Sequence, residues 1–200
     1  AVAEGTAIIT AKIAGFDDIT MTINVTAPAT NVLTYDFTAK SAKSTNYSAA
    51  WEYSGLEILG GANSDGSWTC IKMGPKASVL NGLSEKPYMK PKAAVANAVA
   101  SVEVVIDPTV AECYNKAEEK VSVYVEAYSD AEMKTKIDTT AAQEAPAIAK
   151  GGEAVTLTFV PTTGDSWAAN SYYKVVFDCT NTTTYNGITC VSSLSFVYAA

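Results

Sequence analysis

Two loops of the chain repeat one small theme: Ser64 to Trp68 reads SDGSW, and Gly164 to Trp167 reads GDSW. Each sets a tryptophan just after a Gly/Asp/Ser turn, beside a carboxylate. Sugar rings stack on indole and phenol faces through their apolar C–H surfaces, and neighbouring carboxylates bind the hydroxyls at the rim. Trp68, Trp167, Asp65, Asp165 and Tyr185 are therefore the candidate carbohydrate-binding residues, with Trp51 and Tyr53 as further aromatics. The competing reading is that a tryptophan at the start of a strand caps the core. The same loops offer oxygen. Asn63 and Asp65, with Gly66, are candidate ligands for a structural calcium, as are Asp165 and Asp178. Their spacing does not match the EF-hand loop, so no specific motif supports the ion, and no other cofactor is implied.

The four cysteines, Cys70, Cys113, Cys179 and Cys190, form no C-x-x-C pair. The sequence has no histidine, so a zinc site would need all four, and their spacings do not suggest one. Cys179 and Cys190 flank the turn-rich segment TNTTTYNGIT. If the flanking strands pair, the two sulfurs face each other and a disulfide is expected; otherwise both are buried free thiols. Adjacent carboxylates able to hydrolyse glycosides occur at Asp17-Asp18 and Glu118-Glu119. The first pair sits in a turn and the second in a charged surface segment. The absence of histidine removes Ser-His-Asp and Cys-His catalysis, and no nucleophile elbow, dinucleotide loop or P-loop is present. No catalytic residue is assigned, and a non-enzymatic role is expected.

Positioning these residues falls to strands. The chain has 200 residues, 48% of them hydrophobic, and a net charge of -7. It has no arginine, no basic stripe for nucleic acid and no apolar run long enough to span a bilayer. Period-two alternation recurs from end to end: Ala7 to Ile13, Ile19 to Val25, Leu33 to Phe37, Val102 to Ile106, Val121 to Ala127, Val155 to Phe159, Tyr173 to Phe177 and Leu194 to Tyr198. Helical signal is thin, confined to Ala111 to Lys120 and to the Ala-rich Thr139 to Lys150. Many strands without a βαβ rhythm predict an all-β, antiparallel sandwich. The segment TAPATN around Pro28 reads as a linker. This predicts two strands over 1–27, a linker over 28–31 and a larger sandwich over 32–200. Two strands alone are marginal in water, so the first region must pack on the larger body, on another chain or on upstream residues. Asn24, Asn46 and Asn181 begin N-x-S/T triplets, chance matches in a Thr-rich bacterial or phage chain and surface glycosylation sites in a eukaryotic secreted one.

Residues 1–27 resemble the C-terminal half of a group 2 bacterial immunoglobulin-like domain. The resemblance is carried by Ala3-Glu4-Gly5-Thr6-Ala7 with Ile9-Thr10-Ala11, by Gly15, and by TMTINVT from Thr20 to Thr26. Residues 31–200 resemble a jelly-roll sandwich of the galactose-binding-like, carbohydrate-binding-module type. That likeness is carried by LTYDF (33–37), WEYSGLEILGG (51–61), YYKVVF (172–177) and VSSLSFVY (191–198). The first resemblance implies spacer and adhesive units of bacterial surface proteins and phage virions, which carry no catalytic residues. The second implies glycan binding, with ligand residues that vary by loop. The expectation is a non-enzymatic, extracellular structural or adhesion module on a virion or bacterial cell surface. Its partners would be copies of itself or neighbouring surface proteins, without nucleic acid or membrane insertion. The alternative is a carbohydrate-binding module of a secreted enzyme or adhesin, contacting cell-surface glycans.

Overall fold

The computed structural model describes residues 5–12, 15, 19–25, 31–38, 44, 46–63, 68–109, 111, 113 and 117–200. Contacts divide the chain into two units, Ala1–Thr30 and Asn31–Ala200. In the first, strands β1 (Gly5–Ala11) and β2 (Ile19–Val25) pair antiparallel. Their register sets Ala7 opposite Ile23, Ile9 opposite Met21 and Thr10 opposite Thr20. Ile8 and Met21 are exposed. The Asp17-Asp18 pair and most of the expected linker, 26–30, lie outside the described residues.

The second unit is built from β3 (Val32–Asp36), β4 (Trp51–Tyr53), β5 (Leu56–Leu59), β6 (Gly61–Ala62), β7 (Ile71–Met73), a single helical turn α1 (Ala77–Leu80), β8 (Tyr88–Pro91), β9 (Val99–Ile106), β10 (Glu119–Tyr128), β11 (Lys136–Thr139), β12 (Gln143–Glu144), β13 (Val155–Phe159), β14 (Tyr172–Asn181) and β15 (Thr189–Tyr198). These strands form two antiparallel sheets. One runs β11-β10-β14-β8-β5-β4 with β12 also on β10; the other runs β13-β9-β15-β7-β6 with β3 also on β15. From β8 onward the chain passes repeatedly from one sheet to the other, as a jelly roll does. The all-β sandwich expected from the alternation is the observed architecture.

Alternation fixes which side of each strand is buried. On β10, Val121, Val123, Val125 and Ala127 are fully buried, while Ser122, Tyr124 and Glu126 between them are half-buried. Val102, Val104 and Ile106 of β9 and Leu194 and Phe196 of β15 do the same on the other sheet. The ring of Tyr173 from β14 meets that of Phe196 from β15 at 5.1 Å between centroids, joining the two layers. Tight approach requires glycine at position 74. Gly74 holds φ +99°, and a Cβ there would lie 2.2 Å from Ile188 Cγ1.

The helical signals at 111–120 and 139–150 give way to sheet. Glu119 and Lys120 open β10, and Gln143 and Glu144 form β12. Ala145 N–H donates to the Val121 carbonyl at 2.9 Å, so pairing with β10 overrides the helix preference of the alanines. The expected Cys179–Cys190 facing pair is corrected. Their strands, β14 and β15, do not pair but enter different sheets, and all four cysteines are free, buried thiols. Among the described residues, no helix is long and apolar enough to cross a membrane.

The two-layer core predicts that Phe196→Ala, which empties the contact between sheets, lowers the unfolding free energy by about 3–5 kcal/mol in urea titration.

Candidate functional site

The residues singled out for sugar binding do not come together. Trp167 is only 4% exposed: its backbone bridges Val99, its ring packs edge-on to Tyr173 at 5.7 Å, and its Nε1–H donates to Asp138 Oδ2 at 2.7 Å. It fills the core and presents no ring face to solvent. Trp68 is half-buried, with the Lys72 ammonium 3.5 Å from its ring centroid. The two tryptophans sit at opposite ends of β15. Val99, Trp167's partner, pairs with Tyr198, whereas Ile71, just after Trp68, pairs with Val191. The Val191–Tyr198 stretch between those positions spans ~23 Å.

Asp65 lies outside the described residues. Asp165 is exposed, and Tyr185 is 80% exposed, its carbonyl accepting from Asn181 Nδ2 at 3.1 Å. Asn63 is fully buried, and its amide donates to the carbonyls of Trp68, at 2.8 Å, and Cys70, at 3.2 Å. That role closes the base of the SDGSW loop. Asp178 pairs with Lys86 at 2.8 Å. Among the described residues, no group of three or more cysteines and carboxylates is placed to hold a metal ion.

The structure assembles a different set on the outer face of the sheet containing β14. Register aligns Tyr124, Val176, Tyr88 and Leu59 in a row across β10, β14, β8 and β5, and sets Glu126 opposite Lys174. Two tyrosine–carboxylate–lysine clusters tie this face together. Tyr88 Oη–H donates to Glu57 Oε1 at 2.6 Å, and Lys90 reaches the same oxygen at 2.9 Å. Tyr128 Oη–H donates to Glu126 Oε2 at 2.6 Å, and Lys136 pairs with Glu126 Oε1. Lys174 pairs with Glu85, and its ammonium lies 4.8 Å from the Tyr88 ring centroid, with Lys90 at 5.2 Å from the same ring. Tyrosine rings and lysine stems thus shield one another, leaving Tyr88 and Tyr128 almost fully buried and Tyr124 and Tyr172 half-buried.

The electrostatics follow. Burial pushes the Glu57 and Glu126 carboxyls up, but hydrogen bonds and charge from Tyr88, Lys90, Lys136 and Tyr128 outweigh it and hold both below the usual range. Burial and the neighbouring carboxylates push the Tyr88 and Tyr128 phenols up. At neutral pH these clusters therefore pair ionised carboxylates with protonated phenols. They form a fixed set of donors and acceptors that is poorly suited to moving protons. Three shallow recesses border the face: about 200 Å³ beside Tyr124 and Lys174, about 320 Å³ beside Tyr88 and Glu85, and about 170 Å³ beside Lys90 and Tyr172.

Sequence reasoning assigned no role to Tyr88, Tyr124, Tyr128, Glu57, Glu126 or Lys174. The signal was present in β10, where YVEAY alternates apolar residues with tyrosine and glutamate. Comparison of the chain with protein-family models, curated proteins and solved structures returned no match.

Two predictions follow from these bonds. Asp138→Ala leaves the buried Trp167 indole N–H without its acceptor and should cost about 1–3 kcal/mol of stability in chemical denaturation. Glu57 and Glu126 ionise more easily folded than unfolded, so their stabilisation is complete above the unfolded value of about 4.3 and is lost as pH falls through the folded values. Urea titrations should show stability declining below about pH 5, with a shallower decline in Glu126→Gln.

Proposed function

We propose that this chain is a non-enzymatic, surface-displayed structural module that works by contact, through the outer face of the sheet containing β14. The observation that carries this reading is the locked array of Tyr88, Tyr128, Glu57, Glu126 and Lys174, with the half-buried Tyr124 ring beside it. Side chains already held in one rotamer lose little entropy on binding, and tyrosine is enriched at protein interfaces. Tyrosine–carboxylate–lysine clusters with paired charges favour a shape-matched polar partner over a polyanion. The recesses of this face, about 200 Å³ beside Tyr124 and about 320 Å³ beside Tyr88, are below or at the small end of the ~300–1,000 Å³ of small-molecule sites and open to solvent, which supports surface contact over an enclosed reaction. Three thiols support the non-catalytic half: burial pushes Cys179 up, and Cys113 and Cys190 are also raised, so none of these three is an activated nucleophile. Copies of the chain or neighbouring surface proteins are the partners. The edge strand β13 adds an apolar margin for them, with Val155 and nearby Val160 exposed.

A second reading is glycan binding, favoured by the half-buried rings of Tyr124 and Tyr172 at the edges of recesses that also hold lysines and carboxylates. Sedimentation equilibrium of the full chain should show self-association that Tyr124→Ala weakens by about tenfold or more without shifting the unfolding midpoint. A monomeric protein that binds a glycan array, and loses that binding in Tyr124→Ala, reverses the order of the two readings. Turnover of a glycoside, ester or phosphate substrate by the purified protein overturns the non-enzymatic one.

A further inference from the structure

Three of the four cysteines, distant in sequence, converge at one end of the sheet containing β15. Cys190 is fully buried, with Cys70 at 1% and Cys113 at 3% exposure. Asp107 and Ala111 both lie against Cys190. Asp107 N–H donates to the Cys190 carbonyl at 2.9 Å, and the Cys190 Sγ–H points to the Ala111 carbonyl at 4.0 Å. Cys113 is held there by its own bonds. Its N–H donates to the Ile148 carbonyl at 2.8 Å, and Ile148 N–H donates back at 3.0 Å. Gly151 N–H fixes the Pro108 carbonyl at 3.0 Å. The two side chains are close enough that each is the leading influence on the other's ionisation.

We propose that Cys113 and Cys190 form a disulfide when the chain folds under oxidising conditions, fastening Cys113 to β15. The other cysteines fit worse. The Cys70 thiol also contacts that of Cys190, but Cys190 is opposite Lys72 in the register, so the Cys70 backbone is diagonal to it. Diagonal neighbours stand ~7–8 Å apart, beyond the usual reach of a disulfide. Cys179 belongs to β14, in the other sheet. The inference is independent of the contact face.

The chemistry is thiol–disulfide exchange with a low-molecular-weight disulfide such as oxidised glutathione. One cysteine thiolate attacks the donor disulfide, forming a mixed disulfide and expelling one donor thiolate. The second cysteine thiolate then attacks the protein sulfur of that mixed disulfide, forming the Cys113–Cys190 bond and releasing the second donor thiolate. The two protein thiols are oxidised, the donor is reduced to two thiols, and the two protein protons pass through solvent to the donor thiolates. Once folded, Cys113 lowers the Cys190 thiol, but the Cys70 thiol and burial outweigh it and push Cys190 up to about 12, while the contact with Cys190 and burial raise Cys113. Thiolate is then scarce, so the bond forms during folding rather than afterwards.

The test refolds the denatured full chain in a reduced/oxidised glutathione buffer. The expected product has lost two hydrogens by intact mass, and its peptide map joins Cys113 to Cys190. Alkylation of the unfolded product should then count two free cysteines, Cys70 and Cys179. The oxidised form should melt about 5–10 °C above the form refolded with reductant. Cys179→Ser should still lose two hydrogens, and Cys113→Ala should not. Four free thiols in the refolded protein, or a map that joins Cys70 or Cys179 to a partner, overturns the proposal. The wild-type map decides the matter even if Cys113→Ala does not fold.

Discussion

The contact between Tyr173 and Phe196 is the constraint from which the larger unit follows. Both residues are fully buried, Tyr173 near the start of β14 and Phe196 near the end of β15. A loop joins these consecutive strands, yet each occupies an inner position of a different sheet. The ring contact is therefore also the contact between layers. Around it, Trp167 packs on Tyr173, and Tyr35 of β3 packs edge-on to Phe196 at 6.4 Å. Truncating either central ring would remove contacts from both sheets at once.

Burying Tyr173 also settles the outside of its sheet. With Tyr173, Val175 and Phe177 turned inward, Lys174, Val176 and Asp178 turn outward, because side chains along a strand alternate. The neighbouring strands follow by register. Val123 and Val125 go in and Tyr124 and Glu126 go out; Met89 goes in and Tyr88 goes out. A slip of one residue would exchange the entire hydrophobic set for the tyrosine–glutamate–lysine set. Core packing thus specifies the outer array before any of its own hydrogen bonds form.

This explains what could be read in the sequence and what could not. β10, β14 and β15 carry long alternations, and their fold class was legible from them. β5 and β8 are short and hold few alternations, so Glu57 and Tyr88 carried little local signal. The SDGSW and GDSW loops look alike, but a local motif does not report burial. Trp167 is taken into the core by Asp138 and Tyr173, which lie elsewhere in the chain or in the packing, while Trp68 stays half-buried under Lys72. Cys179 and Cys190 were read as a hairpin pair because only a short segment separates them. Strands close in sequence usually neighbour one another, and here they part into separate layers.

The lack of arginine and histidine gives the outer face its character. Without a guanidinium fork, carboxylates must be held by lysine ammoniums and tyrosine hydroxyls, which supply fewer directed donors. Glu57 and Glu126 each recruit one of both kinds, and the lysine stems then lie against tyrosine rings. An isolated exposed Lys–Glu pair contributes little, because two long side chains must be ordered against solvent screening. Here a tyrosine hydroxyl ordered by the sheet fixes the carboxylate first, so the lysine meets a partner already in place. In a face ordered in this way the charges are compensated within the sheet and the side chains of both clusters are held by bonds to one another.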